Sequence, residues 1–257
     1  KITHSNGFFS TISFSPDGQY LGFLGHEKEF QSATLTRVWV TQLATGETHC
    51  LSENLDVEVG DVAIGDFHSG NVNPGLMWTE ESEGFYFLMS DQGATGIYFG
   101  SLDGSMYPIH LPDEHVYAVS MLTDTHEAIV GVSNSTDPGE LYYLDFRSQT
   151  RTQLTNVNEA WKNEVELSVA EPIRYKAPDG WDLHGWIMKP AGFEVGKKYP
   201  TILEVHGGPH AMYANTYFHE FQTLTAQGFV VLFTNPRGSH GYGQEFVDAV
   251  RGDYGGK

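Results

Sequence analysis

Up to about position 155 this chain repeats itself, and beyond that point its strand grammar changes. No other feature restricts the fold as much. Residues 10–24 carry two short alternating runs around Pro16-Asp17-Gly18, a β-hairpin signature. A second hairpin follows over residues 38–51, so four strands make one unit. The unit returns with Met77-Trp78-Thr79, residues 84–88 and residues 97–104, and again over 116–154. The strands that open the second hairpins at Ile97 and Leu141 start 44 residues apart. That spacing is the period of four-stranded propeller blades, about 40–45 residues.

Val38 and Ile97 are 59 residues apart, longer than one period by a loop. The surplus falls in residues 52–73, which hold Asp56, Glu58, Asp61 and Asp66. The segment reads as an insertion, either lining a channel or, more plainly, a solvated acidic loop. Propellers close with about 4–8 blades, and an open stack exposes apolar faces and a long edge. Residues 1–155 therefore read as a partial β-propeller of three four-stranded blades, with the others expected upstream.

Residues 156–171 are polar, lose the period and read as a connector. From residue 172 the pattern is β/α. A hairpin is expected around Pro178-Asp179-Gly180, then a compact strand over 201–206. A helix with Phe218, Phe221, Leu224 and Thr225 on one face follows over 216–227, closed by Gly228. Residues 229–235 are apolar on both faces, as in a buried and mostly parallel sheet. A last helix is expected over 244–250.

The chemistry concentrates where the 201–206 strand ends, in His206-Gly207-Gly208-Pro209-His210. Consecutive glycines permit angles barred to other residues and leave amide N–H groups uncovered. In α/β-hydrolases one oxyanion donor comes from such a Gly-rich strand-to-helix loop, and the other from the residue after the nucleophile. Such donors are worth about 10²–10³ in rate. The bland alternative is a glycine turn with no ligand. His206 and His210 have the spacing of a helical zinc pair, but Gly207-Gly208-Pro209 forbids the helix and no glutamate lies between them. His206 is read as orienting the loop, and it borders any bound substrate. The run Asn235-Pro236-Arg237-Gly238-Ser239-His240-Gly241-Tyr242-Gly243 lacks the Lys-Ser/Thr of a P-loop and the order of a dinucleotide site. Arg237 suits a structural ion pair or a contact to a substrate carboxylate or carbonyl.

Together with Tyr199-Pro200, Glu220-Phe221-Gln222, Gly228-Phe229, Gln244 and Gly252-Asp253-Tyr254-Gly255, these motifs resemble the hydrolase domain of prolyl oligopeptidase-family serine peptidases. The likeness is nearest to the acylaminoacyl-peptidase branch and covers residues 170–257 in detail. Before residue 155 it is architectural only, a propeller preceding the hydrolase. The resemblance implies that residues 172–257 are the N-terminal part of an α/β-hydrolase domain. It implies cleavage of short, in some members N-acylated, peptides by Ser-His-Asp acyl transfer, with access restricted by the propeller. Gly208 would offer its N–H to the oxyanion and Gly207 would give the loop its turn. No cofactor is implied.

A nucleophile elbow requires G-x-S-x-G, and no serine here satisfies it. The nearest stretch, Gly131-Val132-Ser133-Asn134-Ser135, fails at its last position and lies in a blade. The family's triad order of Ser, Asp, His places all three after residue 257, so these residues alone are expected to be inactive. An esterase on the same fold and a non-catalytic peptide-binding propeller remain alternatives.

Thirty-three acidic against fourteen basic residues give a net charge of −19, which repels a phosphate backbone, so nucleic acid is not an expected partner. No apolar run approaches the roughly 20 residues that cross a bilayer, so no membrane is expected either. The first seven residues show no signal-peptide pattern, and cytoplasm is the default location. The expected partners are a peptide substrate, with a companion chain carrying the rest of the hydrolase, and a homo-oligomer, left open. The one cysteine, Cys50, reads as a buried small hydrophobe.

Overall fold

The computed structural model describes residues 6–67, 73–122 and 126–255. Parts of four sequence readings fall outside these: the first five residues, 68–72 of the acidic segment, 123–125 of the third unit, and the closing pair 256–257.

The first unit forms a four-stranded antiparallel sheet of β1 (Phe8–Phe14), β2 (Tyr20–His26), β3 (Arg37–Gln42) and β4 (Thr48–Cys50), in sequence order. Two short strands of the acidic segment follow, β5 (Glu58–Val59) and β6 (Ala63–Ile64). The second unit supplies β7 (Met77–Trp78), β8 (Gly84–Asp91), β9 (Ala94–Ser101) and β10 (Met106–His110). The third supplies β11 (His115–Met121), β12 (Glu127–Asn134), β13 (Asp137–Asp145) and β14 (Thr150–Gln153). Each unit is an antiparallel four-strand set, as the period implied. A single parallel bridge, His115 to Thr95, links the second and third.

β8 shows why its sequence is apolar throughout. Alternate residues of a strand face opposite sides. Phe85, Phe87 and Met89 enter one core with Leu24, Val38 and Val40 of the first unit. Tyr86 and Leu88 enter another with Val116, Val130 and Val132 of the third. The middle unit is thus sandwiched, and burial of each such side chain contributes roughly 1.5–3 kcal/mol.

After a short helix α1 (Glu159–Lys162), a mixed sheet begins with β15 (Ala170–Lys176) and β16 (Asp182–Met188), the expected hairpin. The remaining elements are β17 (Thr201–Val205), β18 (Met212–Tyr213), α2 (His219–Ala226), β19 (Val230–Asn235) and α3 (Gln244–Asp248). The strand order is β15-β16-β19-β17, with β19 parallel to β17 and antiparallel to β16. Its core combines Trp186, Met188, Val231 and Phe233 with Tyr213, Phe218 and Phe221. β17 lies at the edge, with Leu203 and Val205 58% and 62% exposed.

Two expectations need correction. α2 starts three residues later than its periodicity suggested, because Thr216 and Tyr217 are drawn toward the third unit, where Ser133 Oγ accepts hydrogen bonds from Thr216 Oγ1 and the Tyr217 amide. Phe218 is consequently extended. The described part of the acidic segment is not a solvated loop. Asp56 Oδ1 accepts the Gln244 amide at the start of α3, at 2.7 Å. Buried Glu58 accepts the Thr36 amide, Asp61 binds His115 Nε2 at 2.9 Å, and Asp66 accepts both the His219 and Glu220 amides. β6 pairs in parallel with β18. The segment stitches the repeating units to the mixed sheet.

Candidate functional site

The chain leaves the end of β17 into His206-Gly207-Gly208-Pro209-His210 and enters β18 at Met212. Gly208 sits at φ +136°, and a Cβ there would meet the His210 amide nitrogen at 2.8 Å, so glycine is required. A Cβ on Gly207 would meet nothing. The Gly208–Pro209 peptide is cis. Both glycines are exposed, and among the described residues neither amide donates a hydrogen bond.

Around these two free amides the loop is held firmly. Buried His206 donates from Nδ1 to the Gly207 carbonyl at 2.9 Å, and its Nε2 lies 2.8 Å from Ser239 Oγ. Burial lowers the pKa of this ring, so the neutral form presents a lone pair to Ser239. The single Ser239 hydroxyl proton thus has two acceptors, His206 Nε2 and the Pro236 carbonyl. His210 Nδ1 donates to the Gly238 carbonyl, and the His240 amide donates to the Ala211 carbonyl. Asn235, fully buried, accepts from the Tyr213 amide through Oδ1 and donates to the Tyr213 carbonyl through Nδ2, both at 2.8 Å. The loop after β19 is therefore a bracket for the loop after β17.

Arg237 projects elsewhere. It forms an ion pair with Asp179 in the β15–β16 turn, which fulfils the structural alternative. It also lines a cavity of about 670 Å³ with Phe30, Trp181, Gln244 and α3. Gly207 and Gly208 are not among the residues of that wall, so the structure joins His206 to the glycine pair but leaves Arg237 apart. No cluster that could hold a metal occurs among the described residues. Ser133 is buried on β12, with its hydroxyl donating to the Asp137 carbonyl, so it is no elbow nucleophile. No helix of the described residues is long and apolar enough to cross a membrane.

The model of the prolyl oligopeptidase family matches residues 215–257. An uncharacterized peptidase of Bacillus subtilis, YuxL, is 48% identical over 90% of this chain and 35% of its own length. Over residues 215–257 the chain resembles the prolyl oligopeptidase family. Dipeptidyl-peptidase 5 of Porphyromonas gingivalis is 25% identical over 98% of this chain and 35% of its own. Acylaminoacyl peptidase of Pyrococcus horikoshii superposes with a TM-score of 0.70 at 25% identity, covering 90% of this chain and 33% of that one. The chain spans about a third of the length of the relatives it matches.

Sequence reasoning missed two residues of the bracket, Asn235 and Ser239, which it read only as parts of a motif. Their signal was the polarity of Asn235 at the end of an apolar strand, where a buried amide must have partners.

Proposed function

We propose that these residues are part of a serine peptidase that hydrolyses short peptides, N-acylated ones included, by Ser-His-Asp acyl transfer. In this reading residues 1–155 are a partial propeller and 172–257 the opening of the α/β-hydrolase domain. The nucleophile, acid and base lie beyond residue 257, and these residues alone are inactive.

The observation that carries the proposal is the pair of free amides at Gly207 and Gly208, held at the end of β17 by the hydrogen bonds of His206, His210 and Asn235. Exposed amides with no internal partner are what a developing oxyanion needs, since donors already spent on the protein cannot strengthen in the transition state. The exposed apolar edge of β17 fits the same account, because a further strand pairing there would end beside the glycines. A nucleophile on the turn after such a strand would share a carbonyl with Gly208. His206 acts by orienting the loop. Arg237, which lines the separate cavity and gives one N–H group to Asp179, would in this reading offer its remaining N–H groups to a substrate carbonyl or carboxylate.

The test is fluorophosphonate labelling of the complete protein followed by peptide mass spectrometry, beside turnover of acyl-peptide and simple ester substrates. A labelled serine outside residues 1–257, with amide turnover, supports the proposal. Absence of any labelled serine contradicts it, and ester turnover without amide turnover makes the enzyme an esterase.

A further inference from the structure

We infer that Asn235, fixed in turn by Tyr242 and His184, is the positioning residue of the oxyanion loop; the inference rests on the peptidase reading above. The loop begins at Val205, whose register partner on β19 is Thr234. It ends at Tyr213, whose amide and carbonyl are both held by the side chain of the next β19 residue, Asn235. Both ends of the glycine loop therefore hang from consecutive positions of one strand. A displacement of either would be passed to Gly207 and Gly208, whose amides make no hydrogen bond among the described residues to resist it, while the Gly207 carbonyl is tied to the adjacent His206.

Only an amide side chain meets the demand. Tyr213 presents one donor and one acceptor, so the partner must supply an acceptor and a donor side by side. Aspartate has no donor when ionised, and leucine has neither. Rotation of the amide is prevented from behind. The second Nδ2 proton goes to Tyr242 Oη at 2.9 Å, and Tyr242 Oη lies 2.9 Å from His184 Nδ1. Burial depresses the pKa of His184 to about 4, so its ring is neutral and Nδ1 can accept the Tyr242 proton. The donors then run in one direction, Asn235 to Tyr242 to His184, and each acceptor is used. His184 belongs to β16, on the other side of β19, so the relay ties the loop to the interior of the sheet.

The experiment compares Asn235→Ala and Tyr242→Phe with wild type in the complete protein, using N-acetyl-peptide and free-amine peptide p-nitroanilides. Melting is recorded alongside, to confirm folding. Asn235→Ala is expected to lower kcat by about 10–100-fold with KM within about threefold, because misplacing a reacting group by an ångström has that effect. Tyr242→Phe keeps its ring and should lower kcat by about 3–10-fold, again without a matching change in KM. Should Asn235→Ala fail to fold, Tyr242→Phe carries the test. Wild-type kcat in a folded variant, or a loss confined to KM, overturns the inference. A wild-type protein that neither turns over substrate nor takes a fluorophosphonate label defeats the peptidase reading itself, a separate and recognisable result.

Discussion

Glu58 and His240 face each other between the repeating units and the mixed sheet, with Oε2 3.4 Å from Nδ1 and both side chains more than nine-tenths buried. They do not form an ion pair. Burial pushes the Glu58 carboxyl up to about 7 and the His240 ring down to about 4, so each is driven toward its neutral form. The two shifts have opposite consequences for stability. Glu58, raised from 4.5, stabilises the fold fully below pH 4.5, and this is lost as pH rises through about 7. His240, lowered from 6.5, stabilises it above pH 6.5, and this is lost as pH falls through about 4. Between pH 4.5 and 6.5 the two slopes cancel. Glu58→Gln should expose the His240 limb, with stability falling on acidification by roughly 2–3 kcal/mol. Urea unfolding at a series of pH values checks this, and a flat profile in the variant contradicts it.

Asp66 caps α2 from 153 residues away, accepting the His219 and Glu220 amides at 2.9 and 2.8 Å. The helix has no side-chain cap of its own. Asp66→Ala should therefore cost about 1 kcal/mol, the usual worth of an N-cap. Denaturant midpoints of the variant and wild type measure it, and an unchanged midpoint would show that water replaces the carboxylate.

Phe233 is 2% exposed, stacks on Trp186 at 5.3 Å and touches the rings of Tyr213 and Phe221. Phe233→Ala should destabilise by about 3–5 kcal/mol. Leu203→Ala, on the neighbouring edge strand β17, removes a side chain that is 58% exposed and should stay within about 0.5 kcal/mol. The same unfolding experiment, run on both variants, reads the contrast between core and open edge.

The glycines are separable. Gly208→Ala forces a Cβ onto the His210 nitrogen at a positive φ, so in the complete protein kcat should fall about 100-fold or more. Gly207→Ala meets open space and should leave stability within about 0.5 kcal/mol of wild type. Steady-state kinetics with melting curves tests the pair. Equal effects at both positions would mean that the loop lacks the asymmetry described.

How much of this could be read from the chain depends on the range of the interactions. The hairpins were legible because Pro16-Asp17-Gly18 and the alternating runs on either side of it within residues 10–24 encode turn and strand within a few residues. The glycine pair after β17 was legible for the same reason. The acidic segment was misread because its carboxylates look solvated until their partners are known. Asp56 meets Gln244 across 188 residues and Asp66 meets His219 across 153. Nothing local announces either contact. Asn235 was hidden differently: its motif was visible, but its hydrogen bonds to Tyr213 depend on the register of β19 against β17, which only the assembled sheet sets.

A crystal structure of the complete protein inactivated with a peptidyl phosphonate tests directly where an acyl oxygen sits. The phosphonyl oxygen is expected at about 2.7–3.1 Å from the Gly208 nitrogen, with phosphorus bonded to a serine beyond residue 257. An adduct whose oxygen points away from Gly207 and Gly208, toward other donors or bulk water, would contradict it.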